Sequence, residues 1–271
     1  MHYAFACHTD AGRVRPHNED ALLVDEARGL AVLADGMGGH KAGEVAAGMA
    51  VASIGTGLGA WLDARRTQAE VSRLPSIAIH RALAGSVAEA NRAIFSAAQA
   101  QAAFHGMGTT LVLAWFLGAR LFIGHVGDSR AYRWRGGRLE QLTRDHSVLQ
   151  EQLDAGLITP AQAAISTQRN LVTRALGVEP SVQPEIHEHA VRPGDGYLLC
   201  SDGLSDMVAD AGIAEILAQP WPPTRHATTL VARANELGGR DNVSALIVQA
   251  AFGPPPPHAP EPNRGPFPCP D

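Results

Sequence analysis

The sequence has few cysteines and no excess of positive charge. It has three widely spaced cysteines, Cys7, Cys200 and Cys269, and no Cys-x-x-Cys pair. This spacing predicts neither a disulfide framework nor a structural zinc site, and we expect a reducing compartment. The formal net charge of −5 argues against a general nucleic-acid binder, whose affinity needs an excess of positive charge.

Signals for membrane insertion are also lacking. The N-terminus has no basic stretch followed by an apolar one, so we expect no signal peptide. No run approaches the roughly 18 to 20 apolar residues that are needed to cross a bilayer. We therefore expect a cytoplasmic protein that associates with no membrane.

The remaining composition fits one large folded unit. Hydrophobic residues make up 45% of the 271 residues, which is enough to bury a substantial core. We assign residues 1–252 to a single domain. The stretch 253–271 is rich in proline, which predicts a disordered tail.

Short apolar runs and longer periodic segments alternate along the chain. Helices are predicted over about 43–62, 76–101 and 226–237, and Thr159-Pro160 is a favourable helix start. Gly136-Gly137 predicts a hairpin turn. Because the strands cluster as hairpins and the helices form separate blocks, we expect an α+β fold with largely antiparallel sheets.

A set of aspartates recurs beside glycines or turns, often just after an apolar run. Several uncompensated carboxylates in one cleft would repel each other, and Mg²⁺ or Mn²⁺ removes that repulsion by accepting oxygen ligands. A single Asp-Gly is more often a turn than a ligand, so only the whole set is informative. Its members are Asp20, Asp35, Asp128, Asp202 and Asp241.

Seven sequence blocks, in order, resemble the bacterial members of the metal-dependent, type 2C Ser/Thr protein phosphatases. They cover nearly the whole chain except the tail. The blocks are Thr9-Asp10-x-Gly12-x-Val14-Arg15-x-x-Asn18-Glu19-Asp20, Asp35-Gly36-Met37-Gly38-Gly39, Gly106-Met107-Gly108-Thr109-Thr110, Gly127-Asp128-Ser129-Arg130, Leu142-Thr143-x-Asp145-His146-Ser147, Ser201-Asp202-Gly203-Leu204 and Asp241-Asn242-Val243-Ser244.

The resemblance implies a fold of two antiparallel β-sheets packed as a sandwich and flanked by α-helices on both sides, in four αββα layers. It also implies two or three Mn²⁺ or Mg²⁺ ions at one edge of the sandwich. Asp35 would bridge two ions, with the Gly36 carbonyl on one of them. Asp202 and Asp241 would complete the ligands of the first ion. Asp128 would hold a third ion together with Asp202.

Further roles follow from the same resemblance. Asp20 and Glu19 would hold metal-bound waters, with Asn242 supporting the ligands. A hydroxide that bridges two ions would attack phosphorus directly. Arg13 is assigned to phosphate binding, whereas Arg15 is interpreted as a surface residue of the loop.

The proton donor to the leaving group stays open. Met37 occupies the position where many eukaryotic relatives have histidine, and His40 is the candidate in this chain. His146 is expected to order the segment that follows it. Residues 147–169 correspond in position to a mobile flap, which we expect to shape substrate choice.

The implied activity is hydrolysis of phosphoserine and phosphothreonine in proteins, by a monomer that opposes a Ser/Thr protein kinase. Two alternatives stay open at this stage. One is a hydrolase of small phosphate esters, since fold and metals do not select the leaving group. The other is a pseudo-phosphatase that binds phosphoproteins, although every metal aspartate and Arg13 are present.

Overall fold

Two antiparallel sheets form the centre of the molecule. The structure is a computed structural model that describes residues 1–38, 42–65, 68–164, 166, 171–252 and 267–268. The five-stranded sheet has the order β1-β11-β10-β7-β8, and the seven-stranded sheet has the order β12-β2-β3-β5-β6-β9 with β4 paired to β3. The strands are β1 His2–Asp10, β2 Asp20–Asp25, β3 Leu30–Met37, β4 Gly108–Thr109, β5 Leu111–Leu117, β6 Arg120–Val126, β7 Arg130–Arg135, β8 Arg138–Gln141, β9 Glu185–Ala190, β10 Gly196–Cys200, β11 Val243–Ala251 and β12 Phe267–Pro268.

Helices cover the outer faces of both sheets. Those described are α1 Ala42–Asp63, α2 Gln68–Val71, α3 Ser76–Ala100, α4 Val148–Asp154, α5 Pro160–Ala164, α6 Asp202–Ser205, α7 Asp210–Leu217 and α8 Pro223–Glu236, with a 3₁₀ turn at Ala102–Phe104. Three clusters of buried apolar residues lie between adjacent layers. One lies between the sheets, one joins α1 and α3 to the seven-stranded sheet, and one joins α7 and α8 to the five-stranded sheet. The expected αββα sandwich is confirmed.

The predicted helices and the predicted hairpin are present with small shifts of their ends. Gly136 and Gly137 join β7 to β8 with φ angles of +58° and +81°, as a type I′ turn requires. Helix α5 begins at Pro160, and the Thr159 hydroxyl accepts the Gln162 N–H at 3.3 Å. The pattern did not predict β1, β2 or β9. Strand β9, with the sequence EIHEHA, is an edge strand with partly exposed polar residues, so it lacks a clear apolar period.

Three features differ from the expectations. Helix α1 does meet the length and hydropathy criteria for crossing a membrane, with a mean hydropathy of 1.5, although one face packs into the core. Cys7 is disulfide-bonded, which sequence spacing alone could not indicate, whereas Cys200 is free and buried. Phe267–Pro268 pairs with β2 at the sheet edge, where proline is tolerated; the rest of the predicted tail lies outside the described residues.

Candidate active site

The predicted metal ligands converge because most of them stand at the same end of neighbouring strands. Asp20, at the start of β2, pairs directly with Asp35 near the end of β3. Asp128 follows β6, Asp202 follows β10, and Asp241 precedes β11. A cleft of about 620 Å³ is lined by Asp35, Gly36, Asp128, Asp202 and Asp241, together with Glu19 and Asn242.

A chain of uncharged donors holds Asp20. The hydroxyls of Ser244 and Ser201 both donate to Asp20 Oδ2, at 2.6 and 2.9 Å. Thr9 Oγ1 lies 2.7 Å from Ser244 Oγ and accepts from Asn18 Nδ2 at 2.8 Å. Since Ser244 donates to the carboxylate, Thr9 donates to Ser244. The other carboxylate oxygen, Oδ1, is buried without a hydrogen-bond partner among the described residues.

The backbone of Asp35 is fixed by three hydroxyl residues. The Asp35 N–H donates to Thr110 Oγ1 at 3.1 Å, and the Asp35 carbonyl accepts from the Thr109 hydroxyl at 2.8 Å. Thr110 Oγ1 in turn lies 2.7 Å from Ser129 Oγ. These contacts fix the backbone of Asp35 where the residue lines the cleft.

Glycines let the ligand loops approach each other closely. A Cβ at Gly36 would overlap the Gly43 carbonyl of α1, and a Cβ at Gly43 would overlap the Glu19 carboxylate. The Gly36 N–H donates to the Glu19 carbonyl at 3.1 Å. The Gly36 position therefore depends on the absence of a side chain on both strand and helix.

Asn242 fastens the loop that carries Arg15 and Glu19. Its Oδ1 accepts the Glu19 N–H at 2.8 Å, and its Nδ2 donates to the carbonyls of Ala11 and His17 at 3.0 and 2.8 Å. All side-chain hydrogen-bonding positions of this amide, except one oxygen lone pair, are thus used. Asn242 supports the ligands through this loop.

Arg15 pairs with Asp241, but burial and mutual repulsion dominate the electrostatics of the other aspartates at the cleft. Burial raises the pKa of Asp20 to about 6, although two serine hydroxyls oppose the shift. Burial, and then the charge of Asp145, raises the pKa of Asp128 to about 7. Burial and the neighbouring aspartates raise the pKa values of Asp35 and Asp202 well above the ordinary value.

This donor set fits hard divalent cations. Carboxylate oxygens, a backbone carbonyl and space for water are the ligands that Mg²⁺ and Mn²⁺ accept. The unpartnered Asp20 Oδ1 and the mutual repulsion of the aspartates are both relieved when a cation is bound. Proteins rarely leave a buried polar atom without a partner, so the fit is chemical as well as geometric.

The two arginines of the first loop are placed differently from the sequence-based assignment. Arg13 is 59% exposed and lies 3.5 Å from Asp10 Oδ1, and it is not among the residues that line the cleft. Arg15 does line the cleft, and its Nη2 donates to Asp241 Oδ2 at 2.7 Å. The sequence block Gly12-x-Val14-Arg15 already pointed to Arg15, because the block specifies arginine at position 15 and leaves position 13 open.

Two further predicted features lie beside the cleft. His40 is outside the described residues, whereas Met37 lines the cleft. His146 accepts the Gly127 N–H through Nδ1 at 3.0 Å, and its carbonyl accepts the Thr173 N–H at 2.8 Å. It therefore anchors both the loop before Asp128 and the segment after the flap, as expected of an ordering residue.

Sequence reasoning missed the hydroxyl residues that orient the ligands. Ser201, Ser244, Thr110 and Ser129 all lie inside the quoted motifs and are buried. Ser201 and Ser129 each lie next to a predicted metal aspartate in the sequence, Ser244 lies three residues after Asp241, and Thr110 bonds to the backbone of Asp35. This adjacency of hydroxyl and carboxylate in otherwise apolar strands was the available signal.

Comparison with known proteins agrees with this geometry. The protein phosphatase 2C family model matches residues 11–237. The chain is 37% identical to the serine/threonine phosphatase stp of Listeria innocua over 252 residues, which are 92% of this chain and 96% of that protein.

Solved structures give the same result. The Mycobacterium tuberculosis serine/threonine phosphatase PstP/Ppp is similar with a TM-score of 0.83 and 38% identity, over 93% of this chain and 100% of that chain. The PstP catalytic domain in complex with two manganese ions is similar with a TM-score of 0.79 and 38% identity, over 92% and 99% of the two chains. The chain therefore belongs to the protein phosphatase 2C family and is an enzyme of that kind.

Proposed function

We propose that this protein hydrolyses phosphoserine and phosphothreonine in proteins with Mn²⁺ or Mg²⁺ as cofactor. The observation that carries the proposal is the convergence of buried, mutually repelling aspartates in one cleft. Similar proteins are named serine/threonine phosphatases, and PstP has been solved with two manganese ions.

The residues that would hold two or three ions are those of the cleft. Asp35, the Gly36 carbonyl, Asp202 and Asp241 would hold two ions, Asp128 together with Asp202 would hold a third, and Asp20 and Glu19 would hold metal-bound water. Ions of this kind activate water for direct attack on phosphorus and offset the charge of the phosphate. Asn242 and the serine hydroxyls keep the ligand oxygens in place.

Arg15 is our candidate for binding the substrate phosphate. Its guanidinium borders the cleft, is 54% exposed and has a carboxylate, Asp241, at 2.7 Å. A planar guanidinium offers paired donors to phosphate oxygens and stays charged at any working pH. Arg13, which the sequence-based assignment chose, contacts Asp10 and Gly12 of its own loop and does not line the cleft.

The residues that directly follow the flap, which spans 147–169, border the cleft. Leu171 and Val172 line the cleft, and Val172 pairs with Ser147 at the start of α4. We propose that this flap shapes the choice of protein substrate. Exchange of residues 147–169 for the flap of a relative is expected to change the preference among phosphopeptides, and an unchanged preference would contradict the idea.

The cellular setting is also a proposal. A phosphatase acts on what a kinase has made, so we infer a Ser/Thr protein kinase as functional partner. Kinases need ATP, which favours the cytoplasm, although the disulfide of Cys7 is unusual there. The cleft takes all its carboxylates from one chain, which supports a monomer as the active species. Cell fractionation and size-exclusion chromatography test these two points.

The first experiment measures phosphate release from a phosphothreonine peptide in Mn²⁺, Mg²⁺ and EDTA. We expect release by the wild type with either metal, none in EDTA, and at least a 100-fold loss in Asp241→Asn. Asp10→Asn, which changes an aspartate of the same region outside the cleft, is the control. A small phosphate ester assayed in parallel separates the two hydrolase hypotheses, and no release from any substrate would favour a binding protein.

A further inference from the structure

A row of imidazoles lies outside the catalytic cleft, where β6 meets the edge strand β9. His125 stands directly opposite Glu185 in the β6–β9 register, and His187 and His189 follow Glu185 at alternate positions of β9. Alternate residues of a strand share a face. Leu121 and Ile123 of β6 belong to the cluster between the sheets, so His125 and this row face the same way, at the open edge of the sandwich.

His125 has a free lone pair in a buried position. The residue is fully buried, and its Nε2 lies 2.8 Å from the Arg144 carbonyl. Since a carbonyl only accepts, Nε2 carries the proton and Nδ1 carries the lone pair. Nδ1 is buried and has no hydrogen-bond partner among the described residues. A metal-ligating histidine has this arrangement, with its other nitrogen bonded to a carbonyl or carboxylate.

Glu185 supplies an oriented carboxylate next to this lone pair. Its Oε1 lies 3.1 Å from His146 Nε2, and its Oε2 lies 3.6 Å from His187 Nε2. The Gly127 N–H donates to His146 Nδ1, so His146 Nε2 carries a proton and donates to Glu185. Arg174 Nη1 also lies 3.1 Å from this nitrogen, but a guanidinium only donates and cannot accept that proton. His146 is therefore committed to orienting the carboxylate. A ring nitrogen of His125, one of His146 and an oxygen of Glu185 all lie within 4.8 Å of one another.

His187 can complete the group. Its side chain is 47% exposed, and its ring centroid is 6.4 Å from that of His125. Two imidazoles bound to one zinc ion at about 2.1 Å place their centroids about 5 to 6 Å apart. The two rings are inclined by only 25°, so the half-exposed His187 ring has to turn for its Nε2 to face the same ion as His125 Nδ1. His187 Nε2 already lies 3.6 Å from Glu185 Oε2. His146 is not available as a ligand because its Nε2 carries a proton.

We propose that His125 Nδ1, His187 Nε2 and one oxygen of Glu185 bind a zinc ion, with water as the fourth ligand. Two imidazoles and a carboxylate suit Zn²⁺ and leave an open position, whereas Mg²⁺ prefers oxygen ligands alone. The site is thus chemically distinct from the aspartate cleft, and none of its residues lines that cleft. Burial lowers the pKa of His125 to about 4, so protons do not compete for this nitrogen at neutral pH.

The test is a zinc count on the full chain in saturating Mg²⁺. After equilibrium dialysis against micromolar Zn²⁺, mass spectrometry of the metal content is expected to give one more zinc per chain for the wild type than for His187→Asn or Glu185→Gln. The extra ion should bind at least tenfold more weakly in either variant. Because zinc in the aspartate cleft is common to all three proteins, only the difference counts.

Two controls complete the design. His105→Asn removes an exposed histidine outside the row and should keep the wild-type count. Zinc added to protein with ¹⁵N-labelled histidine should shift the Nδ1 resonance of His125 and the Nε2 resonance of His187. His187 is half-exposed, so its variant is expected to fold, and thermal unfolding without metal checks this. Equal zinc counts in the wild type and in folded His187→Asn would overturn the proposal.

Discussion

At the residue scale, the cleft depends on the partners of each charged group as much as on the charges. Asp20 receives two hydroxyl donors and keeps one free oxygen, and Asp241 receives Arg15. A hydrogen bond to a charged group contributes about 1.5 to 3 kcal/mol. Single substitutions of these partners should therefore have measurable effects that differ with the position of the residue.

The two arginines of the first loop provide a matched pair. We expect Arg15→Gln to lower kcat/KM for a phosphothreonine peptide about 10- to 100-fold, as the loss of a charged hydrogen bond to phosphate predicts. Arg13→Gln should stay within about twofold of the wild type, because its side chain is 59% exposed, contacts Asp10 and does not line the cleft. The measurement is steady-state kinetics at saturating Mn²⁺. The reverse order of the two effects would restore Arg13 as the phosphate-binding residue.

The assignment of these arginines also shows a limit of sequence reasoning. Both residues occupy the same polar loop, two positions apart, and have the same chemistry. Which one faces the cleft depends on the path of the loop, which Asn242 fastens from a position 223 residues distant along the chain from Glu19. No local pattern contains that contact.

At the scale of elements, the start of α1 packs against the ligand loop without a side chain between them. Gly43 of α1 faces both Gly36 and Glu19. The same helix has a second glycine, Gly48, whose Cβ position has nothing within 4 Å. The two glycines therefore have opposite consequences when they are replaced.

Gly43→Ala is expected to push the Glu19 carboxylate and the Gly36 backbone apart. The apparent affinity for Mn²⁺ in the phosphatase assay should fall about tenfold, which is the lower range for a change in residues that support metal ligands. Titration of activity with Mn²⁺ measures this. An unchanged Mn²⁺ dependence would mean that the loop relaxes without moving a ligand.

Gly48→Ala serves as the control in the same helix. Alanine in a helix interior is favoured over glycine by about 0.5 to 1 kcal/mol, which corresponds to a rise in Tm of roughly 1 to 4 °C for a domain of this size. The Mn²⁺ dependence should stay at the wild-type value. Thermal unfolding and the same titration test both statements.

At the scale of the whole molecule, the uncompensated carboxylates make stability depend on pH and on metal. The pKa values of Asp20 and Asp128 are raised to about 6 and about 7 in the folded protein, against about 3.9 when unfolded. The folded state then binds more protons than the unfolded state between about pH 4 and pH 7. The contribution of these two carboxyl groups to stability without metal therefore falls as the pH rises through that window.

We expect divalent ions to reverse this effect. The increase in Tm on adding Mn²⁺ should be small near pH 5 and grow to several degrees by pH 7.5, because protons and metal compete for the same oxygens. Asp202→Asn should raise the metal-free Tm at pH 7.5 and abolish most of the increase. Glu215→Gln, which changes an exposed carboxylate on α7, is the control. An increase in Tm on adding Mn²⁺ that is the same at every pH would contradict this account.

By itself, the sequence determined an α+β chain with hairpin-forming strands and a set of glycine-flanked aspartates. The αββα layers and the metal-binding role of these aspartates were implied by the resemblance of its motifs to the type 2C phosphatases. The glycine-flanked acids and the order of the motifs are local properties, which can be found in the sequence without the tertiary structure. The long helices and the Gly136-Gly137 hairpin could also be predicted from short stretches of sequence. The spacing of apolar residues indicates a helix, and the residue types of a turn indicate a hairpin.

Only the tertiary structure decided which residues hold those aspartates and which arginine joins them. The donors to Asp20 come from Ser201 and Ser244, 181 and 224 residues away, and the row at His125 and Glu185 forms only when β6 pairs with β9. An edge strand such as β9 has too few apolar residues at alternate positions to be predicted from the sequence. Long-range pairing creates these contacts, and its outcome depends on how all the layers pack together, which no short stretch of sequence specifies.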